Sequence, residues 1–255
     1  MCHLQPVDWS SGWPVMGNAG EPYWKFRKPK SDSKTIVNPV ETDEFDSSKL
    51  GMQWQWQNDY KESYGQATSM GFFRLFTYAL PELGDVSNLW YVPNMLLQKI
   101  PAGEFTATTK LSFCSRNSDQ YVGLVCMSAE YSSVGLQRTE DGYELQIRHN
   151  PNAMRTHLTD EVLTVDTLKP TQKGTPRKGR PAEMHIKDVY LRMSIKDSKV
   201  NYAYSIDGKK WKKAGGEYAM GKGRWIGSKI GFFAVDPNKT GRKGFIDIDW
   251  FRISR

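Results

Sequence analysis

Cysteine is scarce in this chain, with three in 255 residues (Cys2, Cys114 and Cys126) and no CxxC pair among them. That excludes a disulfide scaffold and a zinc ribbon or finger. For Cys114 and Cys126 it leaves two readings, a bridge between neighbouring strands or two buried thiols. Histidine is as sparse: His3, His149, His157 and His185 lie far apart, with no HxxxH or HExxH spacing. No Ser or Cys stands in a nucleophile-elbow context, so nucleophilic and metal-hydrolytic chemistries find no support. The Gly-rich stretch GKGRWIG does not open a helix and so builds no phosphate cradle. Mean hydropathy is −0.62, and no apolar run approaches the roughly 18 residues of a membrane span. Nor does any ten-residue stretch carry a helical period.

Aromatic residues are abundant, 9 Trp, 11 Phe and 12 Tyr, which supplies a core and excludes disorder. The length suits one large all-β domain, or one ordinary domain with an appendage. Net charge is +7 and unevenly spread: residues 1–100 hold 9 basic and 11 acidic side chains, residues 101–255 hold 26 and 17. The excess sits in Lys169, Lys173, Arg177, Lys178 and Arg180, and in Lys209, Lys210, Lys212 and Lys213. These lie in Gly/Pro-rich loops or at a hairpin end, where solvated charge is the default, so no nucleic-acid partner is expected.

The first 37 residues differ from the rest. Pro6, Gly12, Pro14, Gly17, Gly20 and Pro22 separate Trp9, Trp13 and Trp24, a turn-rich pattern with room for two very short strands at most. RKPKSDSKTIVNP then reads as a linker. Three tryptophans cannot be buried by so short a segment, which must pack on the following domain or on further chain. The opening Met1-Cys2-His3-Leu4-Gln5 has no basic or apolar signal-peptide segment. The expectation is a cytoplasmic protein or a chain that begins within something longer.

From Glu41 onward the pattern is strand after strand. Phe105, Ala107, Leu111 and Phe113 alternate with polar residues, which is period two. Phe72 to Tyr78, Tyr121 to Met127, Val134 to Arg138, Tyr143 to Arg148, Tyr190 to Ile195, Asn201 to Ile206, Ile230 to Val235 and Phe245 to Ile253 repeat the theme. Asp141-Gly142 and Asp207-Gly208 supply hairpin turns. The segment 150–183 reads as a surface excursion. The fold expected is all-β, a two-sheet antiparallel β-sandwich or jelly roll.

ETDEFDSSKLGMQWQWQND, GFFRLF, NMLLQKI with FTATTKLSF, GKGRWIGSKIGFFAVDP and the closing GFIDIDWFRIS make the chain specific. In order and spacing they resemble the C-terminal concanavalin A-like domain of glycoside hydrolase family 43, the β-xylosidases and α-arabinofuranosidases that cut plant hemicellulose. The resemblance covers roughly residues 41–255. LQPVDWSSGWPVMGNAGEP resembles the last strands of the five-bladed propeller that precedes this sandwich in the family. It divides the chain into residues 1–37, propeller exit strands plus linker, and residues 38–255, the sandwich. In the family the catalytic carboxylates lie on earlier propeller blades, which this chain does not contain. The resemblance thus implies an accessory domain, shaping the substrate entrance or binding carbohydrate, without catalytic residues of its own; the alternatives are an autonomous xylan- or arabinan-binding module and an active β-xylosidase or α-arabinofuranosidase as part of a longer protein. Its partners would be plant cell-wall polysaccharide or oligosaccharide, such as xylan or arabinoxylan, and a catalytic propeller domain. The family's niche implies a periplasmic or extracellular location.

Two groups of residues are site candidates. Asp43, Glu44 and Asp46 cluster near the first strand, and Asp247 and Asp249 in the last. Alternation sends Phe45, Ile246, Ile248 and Trp250 inward and Glu44, Asp46, Asp247 and Asp249 outward. If the two strands are neighbours, Asp43, Glu44 and Asp249 converge. Carboxylate oxygens without His or Cys suit Ca²⁺, which such folds often hold at that place; unpaired surface acids are the other reading. Trp54 and Trp56 lie two apart, on one face if extended, and with Tyr60 and Tyr64 they could stack on pyranose rings; Trp90 and Tyr91 follow in a second loop. The alternative is that Trp54 and Trp56 pack in the sandwich. Trp225 and Trp250 are expected in the core.

Overall fold

The computed structural model describes residues 4–27, 30, 38–80, 88–155, 159–177, 179–223, 227–238 and 240–255. Cys2, His3, His157, Lys178 and Trp225 lie outside the described residues. The chain forms two compact units, Met1–Asn38 and Pro39–Arg255. In chain order the strands are β1 (Val7–Asp8) and β2 (Val15–Met16), then β3 (Gln55–Trp56), β4 (Gly65–Ala67), β5 (Phe73–Phe76), β6 (Tyr78–Ala79), β7 (Leu96–Lys99), β8 (Phe105–Ser115), β9 (Tyr121–Met127), β10 (Tyr131–Arg138), β11 (Tyr143–Asn150), β12 (Glu161–Leu168), β13 (Gln172–Lys173), β14 (Met184–Lys196), β15 (Lys199–Ser205), β16 (Lys212–Ala219), β17 (Lys229–Asp236) and β18 (Phe245–Ser254). Among the described residues there is no α-helix, and one 3-10 turn spans Leu89–Tyr91.

In the first unit β1 and β2 pair antiparallel, and the Gln5 side chain closes the segment by accepting from Tyr23 N–H at 2.8 Å and donating to Tyr23 O at 3.2 Å. Trp9, Trp13 and Trp24 are all exposed, Trp24 completely.

The second unit is a two-sheet β-sandwich. One sheet runs β12-β11-β10-β9-β17-β7-β3, with β6 added in parallel beside the end of β17; the other runs β16-β15-β14-β8-β18-β5-β4, with β13 on β14. Every other pairing within these two sheets is antiparallel. The core lies between them, with Leu111, Phe113, Ile246, Ile248 and Phe251 from one sheet facing Val122, Leu124, Val134, Leu145 and Phe232 from the other. In β8 the interior residues alternate with half-exposed Thr106, Thr108, Lys110 and Ser112, because that sheet turns its other face to solvent. β9 and β17, in contrast, are buried at every position. Their outer residues Tyr121, Val125, Met127, Phe233 and Val235 form a second cluster with Leu89, Val92, Met95 and Ala153. These two central strands therefore read as near-continuous apolar runs rather than as alternation.

Three expectations need correction. The segment 150–183 contains β12, a strand paired along β11 from Glu161 to Leu168. Its four apolar residues, Val162, Leu163, Val165 and Leu168, fall on both faces and the first two are exposed, so this edge strand shows no apolar/polar alternation. The Asp207-Gly208 turn is a six-residue loop between β15 and β16 in which Gly208 alone takes φ +70. The two-residue turn is Asp197-Ser198 between β14 and β15, with φ 49 and 59 and Lys196 opposite Lys199. Third, Trp250 does not point inward: a bulge between Ile248 and Trp250 shifts the register, so Phe251 enters the core, fully buried.

Candidate functional site

Asp43 pairs with Phe251 of β18 through two backbone hydrogen bonds of 2.8 Å, so the opening segment and the last strand are neighbours. The carboxylates, however, do not assemble. Asp43 Oδ1 accepts the Phe45 N–H at 2.8 Å, an Asx turn that follows this single bridge, with Phe45 at φ 52 and its ring in the core. Asp43 Oδ2 accepts from Trp54 Nε1 at 2.7 Å and Gln53 Nε2 at 3.2 Å. Glu44 forms a two-pronged pair with Arg252, 2.7 and 2.8 Å, and this hydrogen-bonded pairing holds its carboxyl below the ordinary range. Asp247 forms a two-pronged hydrogen-bonded pair with Arg74, at 2.7 and 2.8 Å.

Asp249 belongs to a different arrangement. β14 bulges between Ile186 and Val189 and β18 bulges between Ile248 and Trp250, both beside Leu111 of the intervening strand. The two bulges bring Asp188 and Asp249 to 3.1 and 2.7 Å from the Lys110 ammonium. Ca²⁺ needs six to eight free oxygens. Here each of Asp43, Glu44 and Asp249 is occupied by its own donor or cation, and among the described residues the three do not form a ligand group. The residues present do not fit the expected calcium site.

The aromatic candidates divide. Trp54 is buried, its ring 5.7 Å from Phe45, 5.9 Å from Phe232 and 5.3 Å from Phe251, and its only polar atom is used by Asp43. It is a core residue and offers no face to a sugar, which corrects that expectation. Trp56 lies on the same face, packs against Phe73 and Tyr64 at 6.2 and 5.6 Å, and is covered in part by the exposed Tyr60 at 5.8 Å. Trp90 and Tyr91 form the 3-10 turn over the outer cluster of the buried sheet, both half-exposed. The turn is fixed by Asn88 Oδ1, which accepts the Trp90 N–H at 2.9 Å, and by the Tyr91 hydroxyl, which donates to Met154 O at 3.3 Å.

On the same face Tyr131 accepts the Leu89 N–H at 3.0 Å and donates to Asp160, which Asn150 also meets at 3.0 Å. Burial pushes the Asp160 carboxyl above its ordinary value.

Sequence reasoning missed one cluster. Cys114 and His185 are directly opposed across β8 and β14, and Glu183 lies two residues before His185 on the same face. Sγ of Cys114 is 3.4 Å from His185 Nε2, which is 2.8 Å from Glu183 Oε1, while Glu183 Oε2 accepts from Arg116 at 2.8 Å. Alternation could have put Cys114 outward and Glu183 with His185 on one face; their meeting depends on the β8–β14 register, which no spacing reveals. Cys114 and Cys126 are free and buried, Cys114 on the outer side of one sheet and Cys126 within the core of the other, and burial pushes both thiols up to about 12.

Residues 42–254 match the family model of the β-xylosidase C-terminal concanavalin A-like domain. The chain is 28% identical to the β-xylosidase of Formosa agariphila, an alignment that takes in 97% of this chain and 41% of that protein. It is likewise 28% identical to a protein named putative β-xylosidase of Xylanibacter ruminicola, over 90% and 38%. The chain thus spans less than half the length of these relatives. Among solved structures, a xylan β-1,4-xylosidase of Bacillus halodurans superposes with a TM-score of 0.68 at 19% identity, over 98% of this chain and 46% of that one, a likeness of fold. With the matched residues covering nearly the whole sandwich, the chain belongs to the family of C-terminal concanavalin A-like domains of family 43 glycoside hydrolases.

Proposed function

We propose that this sandwich serves a hemicellulose-directed glycosidase as its accessory domain, beside a propeller that performs the chemistry, and that xylan-type polysaccharide is the substrate class. The match to a C-terminal domain over residues 42–254, in relatives more than twice as long, carries this reading. The side-chain chemistry supports it. Glycoside hydrolysis needs two carboxyls facing each other across a sugar, one free to give a proton. Glu44, Asp247 and Asp249 are each bound to a cation at 2.7 Å, and Asp43 to an indole N–H. The test is hydrolysis of aryl β-xylosides and α-arabinofuranosides by the 255-residue chain. No release above background is expected; turnover lost on Asp249→Asn would overturn the proposal.

A second reading, direct binding of xylan or arabinoxylan, is favoured by the half-exposed Trp90 and Tyr91 on a turn that the Asn88, Tyr91 and Tyr131 side chains hold in place by hydrogen bonds. Preorganised rings lose little entropy on stacking against a sugar. Retardation of the chain in gels containing soluble arabinoxylan, lost in Trp90→Ala, is the expected result. Unretarded migration of the parent chain refutes this second reading and leaves the first intact.

A further inference from the structure

We propose that Cys114, Glu183 and His185 form a binding site for a thiophilic divalent cation of the Zn²⁺ class. The donor set is a thiol sulfur, an imidazole nitrogen and a carboxylate oxygen, and the ligating atoms all lie within 4.8 Å of one another. Sulfur and imidazole together select Zn²⁺ and its transition-metal neighbours over Ca²⁺ and Mg²⁺, which take oxygen ligands.

The backbone fixes the donors before any ion arrives. His185 faces Cys114 in the β8–β14 ladder, and the flanking pair Phe113 and Ile186 is buried in the core, so the register cannot slip without exposing both. Tetrahedral Zn²⁺ with bonds of about 2.3 Å to sulfur and 2.0–2.1 Å to nitrogen and oxygen separates S from N by roughly 3.5 Å, and N from O by roughly 3.4 Å. Here Sγ–Nε2 is 3.4 Å and Nε2–Oε1 is 2.8 Å. The first already fits, and the second opens by about half an ångström once the shared proton leaves.

The surroundings match the same reading. Glu183 Oε2 is held by Arg116, which aims Oε1 at the imidazole as a supporting partner does in metal sites. Cys114 and His185 border a pocket of about 220 Å³ that Phe72, Phe245, Lys187 and Asp247 also line, leaving room for a water as fourth ligand. A nucleophile relay is a poorer account. It requires the acid on the ring nitrogen opposite the thiol, whereas Cys114 and Glu183 both meet Nε2.

The probe is Co²⁺, whose spectrum reports thiolate ligation and coordination number directly. It is titrated into the chelator-treated 255-residue chain carrying Cys2→Ser, so that Cys114 and the core thiol Cys126 are the remaining sulfurs. The expected result is one Co²⁺ per chain with a thiolate-to-metal charge-transfer band and tetrahedral visible bands. Equimolar Zn²⁺ removes the signal, and a hundredfold excess of Ca²⁺ does not. Cys114→Ser abolishes the charge-transfer band. His185→Gln, at a half-exposed ring whose loss spares the core, shifts the titration midpoint at least tenfold and changes the visible bands. Thermal melts without metal establish that each variant is folded. Absence of the band in the folded parent overturns the proposal, as does a band that persists in Cys114→Ser or a Co²⁺ affinity unaltered in His185→Gln.

Discussion

Replacing Trp54 by alanine separates packing from carbohydrate recognition at this residue. Its ring lies among Phe45, Phe232 and Phe251 with centroids 5.3 to 5.9 Å away, and its indole N–H is one of three donors to Asp43. Truncating a buried aromatic to alanine costs roughly 3–5 kcal/mol. For a unit of this size each kcal/mol lowers Tm by roughly 2–4 °C, so the expected fall is about 6–20 °C. Trp54→Phe keeps most of the volume and loses the hydrogen bond to a charged acceptor, worth roughly 1.5–3 kcal/mol. Calorimetry of the parent and both variants gives the order parent, Phe, Ala. Gel retardation on arabinoxylan, run where each variant is fully folded, shows no loss specific to Trp54. An alanine variant with unchanged Tm and abolished retardation would refute the assignment of Trp54 to the core.

Arg74→Lys keeps the charge but loses both the two-pronged contact with Asp247 and the stack at 3.9 Å over Phe245. A loss of about 1 kcal/mol is expected by denaturant titration. Asp160→Asn tests burial of a carboxylate. With the folded pKa raised, ionisation at Asp160 costs stability as pH climbs above 3.8, so the variant gains over the parent through that window and the difference levels off once Asp160 is ionised. Equal pH profiles for the two proteins would refute it. Gly135→Ala would set a Cβ 2.3 Å from Val122 O and 2.9 Å from the Tyr121 ring, and a loss of roughly 1–3 kcal/mol or more, with a shift in tyrosine fluorescence, is expected.

Much of the fold was readable from residue patterns. The alternation of β8 marked one solvated and one buried face, and the continuous apolar runs of β9 and β17 marked central strands. The edge strand β12 did not stand out because its apolar residues, Val162, Leu163, Val165 and Leu168, are spread over both faces and break the alternation that a half-buried strand shows. The turn at Asp197-Ser198 was hidden for a related reason. Both residues take left-handed φ without glycine, a choice that hairpin closure enforces and composition does not announce.

At the candidate sites the division is sharper. Residue types and order alone determined the sandwich class, the family, and the inward direction of Phe45, Ile246 and Ile248. They also gave the side on which Trp54 and Trp56 fall, though not that this side is the core. Tertiary structure decided who meets whom. The β18 bulge carried Trp250 outward and drew Asp249 to Lys110, Arg252 took Glu44, Trp54 took Asp43, and the β8–β14 register set Cys114 against His185 across 71 residues of chain. The physical reason is that a strand's pattern specifies a face, with period two. Which partner occupies the facing position depends on register and bulges, and these are set by the packing of the whole core.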